Sequence, residues 1–288
     1  MANVLITGSN SGFGRLTTET LAKAGHTVYA TMRGSTGKNA QAAAELKAFS
    51  AANGNRVHVI DLDVTSDASV QQAVDAIAKH SGGVIDVLFN NAGRFSMGVQ
   101  EAYTLDEVKS LFEINVFGPL RVNRAALPHL RKRRSGLVIA TSSIVGRFSL
   151  PCVGPYAASK FALEALAEAQ RDELKSLGID VVLIQCGAFP TEVGNKGLYP
   201  ADTARAAEYG DVSKLPQQMG EGLGQYFASP QAPNPQDVAD AVKKLVDTPA
   251  GKRPARVVID KLTGDSMQGL NDTHHKHRQV VMTAFGLA

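Results

Sequence analysis

Tyr156 and Lys160 stand four residues apart in Tyr156-Ala157-Ala158-Ser159-Lys160, inside a helix-forming run. On a helix that spacing puts both side chains on one face, one turn apart. A phenol titrates near ~10 and is a poor proton donor or acceptor at neutral pH, but a neighbouring ammonium favours its ionised form. The pair has the chemistry of an acid-base device. A half-exposed structural helix face shows the same spacing, so the elements around the pair have to discriminate.

Stepping outward, the apolar run Val4-Leu5-Ile6 leads directly into Thr7-Gly8-Ser9-Asn10-Ser11-Gly12-Phe13-Gly14, and Leu16, Thr20, Leu21 and Ala24 then mark a helix ending at Gly25. This is strand, glycine turn, helix. Glycines allow a tight turn and close backbone approach, and the helix start offers free N–H groups to a phosphate. The spacing Gly8, Gly12, Gly14 differs from the common G-x-G-x-x-G dinucleotide pattern, and a purely structural turn is the alternative. The second predicted strand, Thr27 to Met32, ends at Arg33, where a dinucleotide-binding unit usually carries an acid for the ribose 2′-hydroxyl. No Asp or Glu lies between Glu19 and Glu45, while Arg33 and Lys38 occupy the following loop and Ser11 the glycine turn. Such a pocket suits a 2′-phosphate, hence NADP rather than NAD, unless Arg33 merely extends into solvent.

A third strand, Arg56 to Ile60, precedes Asp61-Leu62-Asp63-Val64, which makes Asp63 a candidate for an adenine amino group; Asp61 and Asp67 can equally be turn and cap residues. A fourth, Val84 to Phe89, runs into Asn90-Asn91-Ala92-Gly93. Asn115 sits inside a long helical pattern from about Leu105 to Leu130, where it either holds water near a site or satisfies backbone. The fifth strand, Leu137 to Ala140, ends in Thr141-Ser142-Ser143, thirteen positions before Tyr156.

Taken in order, Thr7-Gly8-x-x-x-Gly12-x-Gly14, Asn90-Asn91-Ala92-Gly93, Ser143 and Tyr156-x-x-x-Lys160 resemble the short-chain dehydrogenase/reductase family in its compact branch, over roughly residues 3 to 195. The stretches around Val28 to Arg33 and Ser142 to Lys160 look most like members acting on hydroxysteroids and retinoids. The resemblance implies a Rossmann-type, doubly wound α/β domain with a mainly parallel seven-stranded sheet and helices on both faces. It implies carbonyl–alcohol interconversion by hydride transfer with NADP, NAD being the lesser alternative. Tyr156 would be the general acid or base, Lys160 would lower its pKa and bind the nicotinamide ribose, Ser143 would orient the carbonyl, and Asn115 would hold a relay water. Gly8, Ser11, Gly12, Phe13, Gly14, Arg33, Asp63, Asn90, Ala92, Gly93, Gly187 and Thr191 would contact the cofactor together with Tyr156 and Lys160. Pairing into a homodimer or homotetramer is also implied, with Ala157, Ala158, Ala162, Ala165, Ala167 and Ala169 permitting close helix approach. A catalytically silent NADP(H)-binding regulator of the same fold is the alternative, although such a protein would be expected to have lost part of the Asn115, Ser143, Tyr156, Lys160 set.

The chain departs from the family after its sixth strand, Ile179 to Gln185: Cys186 stands where Pro is usual, before Gly187 and Thr191. Residues 189–235, rich in Gly and Pro, read as an irregular loop over the substrate, with Phe189, Leu198, Tyr199, Leu215, Met219, Leu223, Tyr226 and Phe227 lining an apolar pocket or packing the lid down. Residues 262–288 read as a tail in which His274, His275 and His277 are exposed rather than metal-bound. All 288 residues are expected to form one domain. At 44% hydrophobic, 20% charged and net +3, the chain calls for no nucleic acid or membrane partner, and Arg131-Lys132-Arg133-Arg134 complements a helix end. Two cysteines and a first strand that starts at Asn3, leaving no room for a leader, fit a cytoplasmic enzyme with an apolar small-molecule substrate.

Overall fold

The fold is described from a computed structural model and covers residues 1–287. Strands and helices alternate: β1 Asn3–Thr7, α1 Gly12–Lys23, β2 Thr27–Met32, α2 Ala40–Ala52, β3 Val57–Asp61, α3 Asp67–His80, β4 Val87–Asn90, α4 Leu105–Phe112, α5 Gly118–Arg133, β5 Gly136–Ser143, α6 Gly154–Lys175 and β6 Ile179–Cys186. Beyond β6 come α7 Thr203–Ala207, α8 Leu215–Phe227, α9 Gln236–Asp247, β7 Arg256–Ile259 and α10 Gly264–Ala284. The sheet order is β3-β2-β1-β4-β5-β6-β7, and every pairing is parallel. This is a Rossmann-type doubly wound sheet. Its strands run out from β1 to β3, then restart on the other side of β1 with β4, so the connections diverge between β1 and β4. In sheets of this kind ligands bind at the carboxyl ends of the strands beside that divergence.

Alternation along each strand divides the core into two layers. Val4 and Ile6 of β1, with Val28, Phe89, Ile139 and Val182, pack beneath α1, α2 and α9 through Leu21, Leu46, Val238 and Val242. The intervening Leu5, with Leu88, Val138 and Leu183, packs on α3, α5 and α6 through Val74, Ile77, Val122, Leu130 and Leu163. Covering both faces is what a parallel sheet requires, and it fixes which strand ends stay open.

Five expectations change in detail. The third strand ends at Asp61 rather than Ile60, and the fourth begins at Val87 rather than Val84. The helix expected from Leu105 to Leu130 is interrupted by a π-helical turn, Glu113–Phe117, centred on buried Asn115. The region expected to be irregular contains α7, a short helical turn at Gly210–Lys214, and α8. Asp202 caps α7 by accepting from Arg205 N at 2.9 Å, and Pro216 sits in the first turn of α8, where its missing N–H costs nothing. Last, the tail is α10, whose Met267 and Asn271 are buried. His274 is half-buried beside Glu168 at 3.7 Å rather than free in solvent; His275 and His277 are exposed. Among the described residues no helix is long and apolar enough to cross a membrane, and no group of three His, Cys, Asp or Glu side chains is arranged to hold a metal ion.

Candidate active site

Both connections that flank the switch between β1 and β4 are clipped together by side chains. Thr7 Oγ1 accepts from Asn91 N and Ala92 N, each at 3.0 Å. Asn91 Nδ2 returns the link by donating to Thr7 O at 2.9 Å and Gly8 O at 3.1 Å. Gly8 and Gly12 adopt positive φ of 70° and 53°, which L side chains disfavour. Gly14 has no room for a side chain: a Cβ there would overlap Gly8 O and lie 2.5 Å from Asn91 Nδ2. The first turn of α1 carries no acid, and Ser11 at its N-cap makes no side-chain cap bond. Its leading N–H groups therefore present a positive dipole end with no competing side chain, an arrangement that fits a dinucleotide phosphate. Thr191 lies opposite, 3.7 Å from where a Gly12 Cβ would be, and Phe13 meets Phe189 edge-on at 5.2 Å. Gly187 is closely packed as well: a Cβ there would overlap the Asp260 carboxylate and require that side chain to move.

At the end of β2, Arg33 is half-exposed and reaches Asp63 at 3.4 Å. Asp63 accepts from Thr65 N at 3.0 Å and Thr65 Oγ1 at 2.8 Å. Burial pushes the Asp63 carboxyl up, but the Thr65 hydrogen bonds and the Arg33 guanidinium outweigh it and hold the group below the usual carboxylate range. Ser35 donates to Asp61 through N at 2.6 Å and Oγ at 2.9 Å, and Asn39 Nδ2 holds Arg33 O at 2.6 Å. The loop is thus pinned while the Arg33 guanidinium keeps free donors, as a 2′-phosphate would require.

The Tyr156–Lys160 pair lies on α6 where it passes the ends of β5 and β6. Lys160 is buried at 5% exposure, with Nζ donating to Thr141 O at 2.7 Å and lying 5.7 Å from the centroid of the Tyr156 ring. Burial lowers the Lys160 pKa to about 8, with Cys186 and Glu164 acting in the opposite direction. Tyr156 is half-buried, its ring edge-on to Phe95 at 5.1 Å. Desolvation pushes its phenol up, Cys186 adds to the rise and the Ser143 hydroxyl works against it. In the protein alone the phenol is therefore held protonated, the reverse of the lowering expected from its lysine neighbour. Ser143 Oγ donates to Cys186 O at 3.3 Å and accepts from Val145 N at 3.3 Å, which sets the hydroxyl beside the Tyr156 phenol. Burial raises the Cys186 thiol to about 12, so it stays a protonated, unreactive wall residue.

Asn115 is committed to backbone: Oδ1 accepts from Arg94 N at 2.8 Å, while Nδ2 donates to Arg94 O at 2.8 Å and Ser159 Oγ at 3.0 Å. It fastens the turn after β4 to α6. A Cβ at Gly93 would sit 3.5 Å from Asn115 Oδ1 and 3.7 Å from Lys160 Nζ, so Gly93 keeps a gap open next to the ammonium. Asn90 behaves differently from expectation. Its Nδ2 donates to Asn123 Oδ1 at 2.8 Å on the α5 side of the sheet, so only its backbone faces the strand ends. Asn91, which the sequence reading left out of the site, is the residue that joins the two turns; the adjacent pair of amides was its only signal.

Above the pair, Leu215 and Met219 of α8 pack on Phe95, Met97, Cys152 and Val153. Tyr103, Leu111 and Leu198 meet Tyr156 from another side. The cover is therefore apolar. No residue of α7 or α8 is fully buried, and Glu101 ties the segment down by pairing with Arg205 at 2.9 Å and accepting from Tyr209. Phe189 instead belongs to the sheet core.

Residues 2–198 match the sequence profile of the short chain dehydrogenase family. The chain is 38% identical over 208 residues to 3-ketodihydrosphingosine reductase of Bacteroides thetaiotaomicron, covering 72% of this chain and 71% of that protein. It is 34% identical over 257 residues to retinol dehydrogenase 8 of Bos taurus, covering 84% and 77%. A solved short-chain dehydrogenase from Streptomyces avermitilis superposes with a TM-score of 0.76 at 31% identity, over 99% of this chain and 97% of that one.

Proposed function

Because the chain belongs to the short-chain dehydrogenase family, whose members are oxidoreductases, we propose that it interconverts an apolar ketone or aldehyde and the corresponding alcohol, using NADP(H). The observation that carries this reading is the convergence of Tyr156, Lys160 and Ser143 on the open strand ends beside the clipped glycine turn.

A bound NADPH would supply hydride chemistry at the substrate carbon, and the residues around the glycine turn and strand ends would hold it. Gly8, Ser11, Gly12, Phe13 and Gly14 would hold the pyrophosphate side, Asp63 the adenine, Asn90 backbone, Ala92 and Gly93 the middle, and Gly187, Thr191 and Lys160 the nicotinamide end. Tyr156, protonated by virtue of its burial, gives its phenolic proton to the carbonyl oxygen, and takes it back in the reverse reaction. Ser143 steadies that oxygen by hydrogen bonding. Lys160 places a positive charge beside the phenolate left behind and so limits the cost of its formation. Asn115 acts by holding the Arg94 turn and Ser159, which keeps the gap over Lys160 in shape. The apolar lid residues Leu215 and Met219 favour a substrate with few polar groups and exclude water once it is bound.

Arg33, with its free donors at the end of β2, supports NADP over NAD. Replacing a charge-assisted contact of this kind with Ala should weaken NADPH relative to NADH by ~10–100-fold in kcat/KM. Equal loss with both coenzymes would remove Arg33 from phosphate recognition.

The exposed stripe Ala158, Phe161, Ala165 and Ala169 on α6, with Phe117 at the end of the π turn and Leu120 on α5, supports pairing of two copies through these helices. Ala157 and Ala167 take no part, being buried within the subunit. Sedimentation is expected to give at least twice the chain mass, and Ala165→Arg to shift it toward the single chain. A wild-type protein that sediments as one chain would refute the pairing.

A further inference from the structure

Tyr156 and Lys160 are the first two members of a row that continues along α6 at four-residue steps through Glu164, Glu168 and Asp172. Glu164, one turn beyond Lys160, is 2% exposed, an uncommon setting for a carboxylate and one that demands partners. It has two. Gln185 Nε2 on β6 donates to Glu164 Oε1 at 2.8 Å, and Arg256 Nε on β7 donates to Oε2 at 2.8 Å. Both partners lead to the C-terminal helix. Asn271 Nδ2 of α10 donates to Gln185 Oε1 at 2.6 Å, with Gln185 wholly buried and Asn271 6% exposed. Arg256 also binds Glu168 at 2.7 Å, and Glu168 takes Arg278 of α10 at 2.8 Å; Arg278 reaches on to Asp172. One continuous polar network therefore runs from Glu164 to α10 through the interior, while Lys160, buried one helical turn before Glu164, gives its own hydrogen bond to Thr141 O and faces the carboxylate through space.

Resting on the assignment of Tyr156 and Lys160 above, we propose that Glu164 is a positioning residue for that pair, holding the charge and place of Lys160 while α10 holds Glu164. Burying an ammonium is unfavourable, and the counter-charge one helical turn away offsets part of that cost. The groups facing Lys160 are Tyr156 and Glu164 on its own helix and Cys186 on β6. Those facing Glu164 are Lys160, Arg256 on β7, and Arg147 following β5. Glu168, His274, Arg278 and Asp172 complete the outer part of the network. Glu164 and Arg256 thus act on Lys160 with opposite signs. Removing the carboxylate charge favours the neutral amine and lowers the Lys160 pKa; removing the guanidinium leaves Glu164 less compensated and raises it.

The test is a 13C NMR titration of lysine-labelled protein, with the Lys160 Cε resonance assigned by its loss in Lys160→Arg. The wild-type midpoint is expected near pH 8. Glu164→Gln should move it down by about half a unit or more, and Arg256→Gln should move it up by a comparable amount. The alkaline limb of kcat/KM should follow in the same two directions. Simple loss of packing would lower thermal stability in both variants without shifts of opposite sign. Midpoints that stay put, or move the same way, overturn the proposal; if one variant does not fold, the sign of the other decides. The titration needs no turnover, so wild-type protein that reduces nothing would sink the catalytic reading while opposite midpoint shifts still upheld the coupling.

Discussion

Tyr156→Phe is expected to lower kcat/KM for carbonyl reduction by ~10²–10⁴-fold, the usual worth of a positioned general acid. The substitution removes one oxygen and little volume, and the ring keeps its edge contact with Phe95 at 5.1 Å. NADPH affinity should therefore change only a few-fold and the melting temperature hardly at all. That separation matters, because a loss of binding or stability of similar size would mean that the phenol serves structure. The pH profile gives a second readout. In the protein alone burial holds the phenol protonated well past neutrality while Lys160 titrates near 8. Wild-type reduction should thus fall on the alkaline side as Lys160 loses its charge, and in Tyr156→Phe, which leaves no phenolate for Lys160 to stabilise, that fall should be lost from any residual activity.

Gly14→Ala should be the second severe change. A Cβ at this position overlaps Gly8 O and comes within 2.5 Å of Asn91 Nδ2, the amide that clips the two turns together. Both obstacles belong to backbone or to a committed side chain, so the turn itself has to move. The expected cost is about 1–3 kcal/mol in stability, as for other overpacked sites, with NADPH binding weakened by at least ~100-fold because the N–H groups of α1 no longer point together. Fluorescence titration of NADPH and a thermal melt measure the two effects. Gly220→Ala on α8 is the matched control: nothing lies within 4 Å of its Cβ, and the change should be neutral or stabilising by about 0.5–1 kcal/mol. Equal behaviour of the two variants would mean that the glycine turn is not the tight site described.

Residues that act through short-range geometry were legible in the amino-acid sequence. The glycine turn follows from Gly8, Gly12 and Gly14 between an apolar strand and a helix, and the Tyr156–Lys160 pair follows from a spacing of one turn. The parallel sheet was equally accessible, since each strand is a short apolar run closed by turn residues. What escaped depends on partners far along the chain. The helix expected to pass through Asn115 breaks into a π turn because that amide is matched to the Arg94 backbone. Asn90 looked like a site residue but is drawn away by Asn123. α8, rich in glycine, looked like loop, and α10 looked like tail, because the latter is held by Gln185, Glu168 and Asp172 rather than by a strong apolar stripe of its own. Cys186, expected to be a departure from the family, is buried, which suits a thiol acting as a small apolar residue.

The most direct measurement is the consumption of NADPH, with NADH in parallel, against a panel of apolar ketones and aldehydes, following the alcohol formed alongside the coenzyme oxidised. One alcohol per NADPH, with NADH the poorer coenzyme, is the expected result. Tight NADPH binding with no turnover across the panel would contradict it and describe instead a protein that binds the coenzyme without using it.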